Sequence, residues 1–133
     1  MKILVVEDDF ASRKLLMTLL SKYGECDTAC NGVEGVEAWL SSLESGEKYD
    51  LITLDIMMPE MSGHEVLKRI RAVEHDRQLD PVCIMMTSAL SDSKNILHAF
   101  KNQCEAYLRK PISKSELTLK LVELGLIPET ADV

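Results

Sequence analysis

Four places in this chain carry side chains able to do chemistry, and they share a context. Glu7, Asp8 and Asp9 follow the apolar run Lys2 to Val6, Asp55 follows Leu51 to Leu54, Thr87 and Ser88 follow Val82 to Met86, and Lys110 follows Cys104 to Leu108. Singly, each has an ordinary explanation, because acids and threonine cap helices and lysine is usually a solvated charge. Brought together they behave differently: carboxylates within a few ångströms repel and raise one another's pKa unless a positive charge sits among them. An all-oxygen set without His or Cys suits hard Mg2+, which keeps several waters and takes one or two carboxylates together with phosphate oxygens. Lys110 then offers a point charge to a phosphate rather than a ligand to the metal. Pro59 follows Asp55 four residues on, which predicts an open loop carrying Asp55 at a strand tip. A carboxylate so placed beside Mg2+ and a lysine can attack phosphorus and become an aspartyl phosphate, with metal and lysine offsetting charge on the transferring oxygens.

The elements that must position these groups alternate. The apolar runs Lys2 to Val6, Glu25 to Cys30, Leu51 to Leu54, Val82 to Met86 and Cys104 to Leu108 read as strands. Between them lie helical patterns: Leu15, Leu16, Leu19, Leu20 and Tyr23 with Gly24 as a C-terminal stop; Val33, Val36, Leu40 and Leu43; Val66, Leu67, Ile70 and Val73; Ile96, Leu97 and Phe100; and Leu117, Leu121 and Leu124. The last opens with Ser113 and Glu116 in capping-box spacing. Strict alternation in this (βα)5 order implies parallel strands, right-handed crossovers and helices on both faces, so the strands should be apolar throughout. The expected fold is one doubly wound α/β domain with a five-stranded sheet, flavodoxin-like, in the order 2-1-3-4-5. Such sheets bind ligands outside the carboxyl ends of their strands, where the chemical residues fall. Ser41 to Lys48 and Glu74 to Asp80 read as polar loops without chemistry.

Composition narrows the function classes. With 133 residues the chain fits one domain with a core that needs no staples. A formal net charge of −7 and the lack of a basic stripe argue against nucleic-acid binding. The start, Met1-Lys2-Ile3-Leu4-Val5-Val6 running into acids, is too short for a signal peptide or membrane span, so a cytoplasmic protein without membrane insertion is expected. Cys26, Cys30, Cys83 and Cys104 form no C-x-x-C pair and read as reduced, packed thiols; His64, His75 and His98 lack ligand spacing; and the methionines read as gap-fillers in the core and near Asp55.

Taken in order, Val5-Val6-Glu7-Asp8-Asp9, Asp55-Ile56-Met57-Met58-Pro59 with Met61-Ser62-Gly63, Met86-Thr87-Ser88-Ala89 and Tyr107-Leu108-Arg109-Lys110-Pro111 resemble the receiver domain of two-component response regulators over about residues 2–124. The resemblance implies a receiver over residues 1–125 with a short tail at 126–133 and no room for an output domain. Asp55 would be the phosphoacceptor, supplied by a histidine kinase or a phosphotransfer protein. Asp8 would bind Mg2+ directly, Glu7 through water, and Met57 through its backbone carbonyl, which leaves Asp9 to cap the first helix. Thr87 and Lys110 would hold phosphoryl oxygens, Pro111 would follow a cis peptide, and Tyr107 would be the switch aromatic that follows Thr87. The signal would appear on the fourth and fifth helices with the fifth strand between them, read by a downstream effector protein. Gln103-Cys104 departs from the small residues usual before the fifth strand, and Glu7 replaces the commoner Asp.

On the last helix, Leu119 and Val122 fall roughly opposite the Leu117, Leu121 and Leu124 face at about 100° per residue. This second stripe is expected to bind a partner or a second copy of the chain. At most weak self-dephosphorylation is expected, not turnover as an enzyme. An aspartate-nucleophile phosphatase is the main alternative, but such enzymes carry a second Asp two residues on, where Met57 stands. A flavodoxin-like cofactor binder lacks a phosphate loop after the first strand, and a docking module independent of phosphorylation has no need for Asp55, Thr87 and Lys110 together.

Overall fold

The alternation of apolar runs and amphipathic stretches leaves each strand to find a parallel neighbour across a helical crossover, and the sheet that results carries two different faces. A computed structural model describes residues 1–89 and 104–129. Among these residues the order is β1 (Lys2–Val6), α1 (Phe10–Leu20), β2 (Glu25–Ala29), α2 (Gly32–Ser45), β3 (Leu51–Asp55), α3 (Gly63–Arg77), β4 (Cys83–Ser88), β5 (Ala106–Arg109) and α4 (Lys114–Glu123). The strands form one five-stranded sheet, all pairs parallel, in the order β2-β1-β3-β4-β5, as expected for a doubly wound flavodoxin-like fold. The helix expected over Ile96, Leu97 and Phe100, with His98, lies outside the described residues. No helix among the described residues is long and apolar enough to cross a membrane.

Side chains alternate across a strand, and here the period of two divides the core cleanly. Leu4, Val6, Ile52, Leu54, Ile84 and Met86 point to one face, where they pack with Trp39 of α2 and with Val66, Leu67 and Ile70 of α3. Ile3, Val5, Leu51, Met85, Ala106 and Leu108 point to the other, against Leu16 and Leu20 of α1 and Leu117 and Leu121 of α4. The central strand β3 is buried along its whole length. Each fully buried Leu or Ile contributes about 1.5 to 3 kcal/mol relative to leaving it exposed, so these two clusters dominate the stability.

Several expectations need correction. β2 is an edge strand paired only with β1; its sequence Glu-Cys-Asp-Thr-Ala is half exposed rather than apolar on both faces. α2 runs to Ser45 and α3 to Arg77, so residues 41–45 and 74–77 are helical and not loop. α1 ends at Leu20 with Ser21 as its C-cap, so Gly24 does not stop the helix. It instead admits a close approach of the chain start, since a Cβ there would lie 2.0 Å from the Met1 carbonyl oxygen. Leu15 and Val33, assigned to buried stripes, are exposed. Of the cysteines, Cys104 is buried and Cys26 and Cys83 are half-buried, but Cys30 is exposed. Burial pushes the Cys83 and Cys104 thiols up to about 11, which leaves them unreactive. Ile127, beyond the last helix, is buried against the α1/α4 face.

A polar knot ties α3 to the starts of β4 and β5. Glu74 is almost fully buried; its Oε1 receives Arg71 Nη1 at 2.8 Å and its Oε2 accepts the Val82 N–H at 2.6 Å. Arg71 also donates to the Val82 carbonyl and, through Nη2 at 2.7 Å, to Glu105, whose Oε1 accepts the Ile84 N–H. Removing Glu74 strands a buried guanidinium edge and a buried N–H, so Glu74→Ala is expected to cost about 3 kcal/mol. Glu105→Ala removes a more exposed carboxylate but also frees the Ile84 N–H, and should cost less, about 1 to 2 kcal/mol. Urea unfolding followed by circular dichroism checks both; equal losses would contradict the ranking.

Candidate functional site

Extending the strand period past each carboxyl end assembles the site. Glu7 follows Ile3 and Val5, Asp55 follows Leu51 and Thr53, Thr87 follows Met85, and Lys110 follows Ala106 and Leu108, so all four project on the α1/α4 face. The ladder continues far enough to hold them in register: the Glu7 N–H bonds the Ala29 carbonyl at 3.0 Å, Ile56 N–H that of Thr87 at 2.9 Å, and Lys110 N–H that of Ser88 at 2.8 Å. The open loop expected at Asp55 is not found. Asp55 closes β3 as the register partner of Thr87 and is 3% exposed, because pairing with β4 carries the strand beyond the apolar run. Thr87 and Ser88 likewise belong to β4.

Two local devices bring the backbone close. α3 starts at Gly63, whose N–H bonds the Ile56 carbonyl at 2.9 Å; a Cβ at this position would lie 2.3 Å from the Asp55 carbonyl oxygen. On the other side Asp9 caps α1 by accepting the Ser12 N–H at 2.9 Å, an interaction that holds its carboxyl below the usual range. Arg13 Nη1 reaches back from α1 to the Glu7 carbonyl at 3.0 Å and the Asp8 carbonyl at 3.5 Å, pinning the acidic turn. Sequence reasoning missed Arg13, which falls on the polar side of its helix.

Glu7, Asp8 and Asp55 each offer a carboxylate oxygen, and these oxygens lie within 4.8 Å of one another. Glu7 and Asp55 are buried, whereas Asp8 is exposed. Lys110 inserts its ammonium between the buried pair, 2.7 Å from Glu7 Oε1 and 3.4 Å from Asp55 Oδ1. Burial, and next the Glu7 charge, push Asp55 up to about 7 against the opposing pull of Lys110. Burial also works against the Lys110 charge, but Glu7 and Asp55 outweigh it and hold its pKa above the ordinary lysine value. Three carboxylates against one ammonium leave a formal charge of −3 + 1 = −2 when all are ionised. An all-oxygen cluster with that deficit suits a divalent cation.

The buried Thr87 hydroxyl has no hydrogen-bond partner among the described residues. The Met57 N–H points to Asp55 Oδ1 at 3.4 Å, while the Met57 side chain is 61% exposed and does not fill the core as expected of the methionines. Met58 and Met61 are buried. Tyr107 is not gathered into the acidic pocket: it alternates with Leu108 and packs on the opposite, α2/α3 face. The Lys110–Pro111 peptide is cis.

The response regulator receiver domain family matches residues 3–122. The chain is 30% identical over 124 residues to the chemotaxis protein CheY homolog of Campylobacter jejuni, covering 93% of this chain and 92% of that protein. It is 36% identical over 122 residues to hybrid signal transduction histidine kinase D of Dictyostelium discoideum, covering 92% of this chain but only 7% of the kinase. Among solved structures, it superposes with a TM-score of 0.82 and 26% identity on the co-crystal structure of the Saccharomyces cerevisiae histidine phosphotransfer protein Ypd1 with the receiver domain of Ssk1, covering 98% of this chain and 94% of that chain. The CKI1 receiver domain of Arabidopsis thaliana, complexed with Mg2+ and BeF3−, is 28% identical with a TM-score of 0.76, covering 94% and 88% of the two chains. The chain belongs to the response regulator receiver domain family of two-component signalling.

Proposed function

We propose that Asp55 accepts a phosphoryl group, in the presence of Mg2+, from a histidine kinase or a histidine phosphotransfer protein. The observation that carries this reading is the convergence of Asp55, Thr87 and Lys110 with the carboxylates of Glu7 and Asp8 on one face of one sheet edge. Asp8 and Asp55 would hold the metal directly, Glu7 through water, and Met57 through its backbone carbonyl. The cation supplies electrostatic stabilisation of the phosphoryl oxygens. An Asp55 oxygen attacks phosphorus as the donor's P–N bond breaks, and the Lys110 ammonium and the Thr87 hydroxyl each take a phosphoryl oxygen. The buried Thr87 hydroxyl fits this role, since a phosphoryl oxygen would give it an acceptor. The receiver unit occupies residues 1–125, with Ile127 anchoring the segment that follows. The acceptor function needs no turnover as an enzyme.

The output would leave the site through β4 and β5. Thr87 engaged by phosphate would shift Tyr107, and the change would be read on the face comprising β5, α4 and the helix expected over residues 96–100. Leu119 on α4 is 57% exposed and borders a groove of about 680 Å3 with Thr118 and Val122, a surface suited to an effector protein or a second copy of the chain.

Incubation with a small acyl phosphate and Mg2+, followed by intact mass, is expected to add one phosphoryl group, and Asp55→Asn should abolish it; labelling that persists in the variant contradicts the assignment. The attacking group is the ionised carboxylate, and burial raises Asp55 to about 7 in the metal-free protein. At limiting Mg2+ the labelling rate should therefore rise as pH goes from about 6 to 8 and level off above. A rate already flat from pH 5 would show that Asp55 is not held up in this way.

A further inference from the structure

Glu7 is fully buried: its Oε1 forms an ion pair with Lys110 Nζ at 2.7 Å without a directed hydrogen bond, and its Oε2 accepts the Asp9 N–H at 3.1 Å. The same ammonium stands farther from the carboxylate it would serve in phosphoryl transfer, 3.4 Å from Asp55 Oδ1. Lys110 thus rests on Glu7 more than on Asp55. The reach comes from glutamate's extra methylene: an aspartate on the same backbone would draw its oxygens back toward β1 by about 1.5 Å, one C–C bond length. The Lys110 backbone is held independently, because its N–H is tied to the Ser88 carbonyl at the end of β4, so only the side chain is free to shift between the two carboxylates.

A cation held by Asp8 and Asp55 would draw on the Glu7 carboxylate, which belongs to the same cluster of oxygens. It would also bring a double positive charge close to the ammonium beside two buried carboxylates, where like charges are less screened than in open water. We infer that Lys110 and the divalent cation are competing occupants of Glu7: without metal the glutamate holds the ammonium aside, and metal arrival releases it toward the phosphoryl oxygens at Asp55. This rests on the Mg2+-dependent acceptor function proposed above and adds an order of events to it, metal first and lysine second.

Titration calorimetry with Mg2+ on the wild type, Glu7→Asp and Lys110→Met tests the competition. Glu7→Asp keeps every charge and shortens one arm, so it should bind Mg2+ about tenfold more tightly, equivalent to about 1.4 kcal/mol. Lys110→Met should also bind more tightly. Removing any nearby cation helps a metal, so a second measurement separates competition from bulk charge: the coupling between Glu7→Gln and Lys110→Met in a double-mutant unfolding cycle, with EDTA and with saturating Mg2+. Coupling present in EDTA and lost with Mg2+ supports the competition. Equal coupling in both, or Glu7→Asp affinity no tighter than wild type, overturns it and leaves the acceptor function standing. A wild type that binds no Mg2+ overturns both. Glu7→Asp retains the buried charge, so the affinity comparison decides the matter even if the other variants fail to fold.

Discussion

The structure is organised around an electrostatic conflict that the protein alone does not resolve. Three carboxylate oxygens, from Glu7, Asp8 and Asp55, lie within 4.8 Å of one another, with a single ammonium among them. Burying a carboxylate costs several kcal/mol even after relaxation, and leaving two of them buried beside a third adds repulsion. The protein meets part of this cost with Lys110 and part with proton affinity, seen in the rise of Asp55 to about 7. A divalent cation would remove the remainder. The same imbalance is what suits the cluster to a hard, doubly charged ion.

Geometry keeps the conflict in place. The two-residue period of parallel strands sends Glu7, Asp55, Thr87 and Lys110 to one face only because the register between β1, β3, β4 and β5 is held by buried Leu, Ile and Met on both sides. A slip of one residue would send each of them to the opposite face. Gly63 lets the start of α3 press against the Asp55 carbonyl, and Arg13 ties the acidic turn to α1. On the far side of the molecule Arg71, Glu74 and Glu105 bind α3 to β4 and the approach to β5, fixing the strand that delivers Lys110.

Much of this was legible in the amino-acid order because it depends on local periods. The strands, the helices and the Ser113 cap of α4 bonding the Glu116 N–H follow from spacing two, three or four residues apart, and the strict alternation of strand and helix then implies parallel pairing with the strand-end acids and Lys110 along one edge. What could not be read depends on partners distant in the chain. Glu74 looked like part of a polar loop because Arg71, Val82 and Glu105 become its surroundings only on folding. Asp55 looked like a loop residue because its strand is prolonged by pairing with Thr87 rather than by its own apolarity. The last turns of α2 are rich in serine, yet the Ser42 hydroxyl is satisfied by the Trp39 carbonyl within the helix.

The crowding of carboxylates is tested most directly by unfolding free energy against pH, in EDTA, for the wild type and Asp55→Asn. Asp55 has a folded-state pKa of about 7, above its ordinary value of 3.8, so the folded state holds the proton longer. Stability should therefore fall as pH rises from about 4 to 7, by about 1.4 kcal/mol for each unit of elevation, and level off beyond. The Asn variant should lack this component, and Mg2+ should restore the loss in the wild type alone. Parallel pH curves for the two proteins, unmoved by Mg2+, would contradict the central claim.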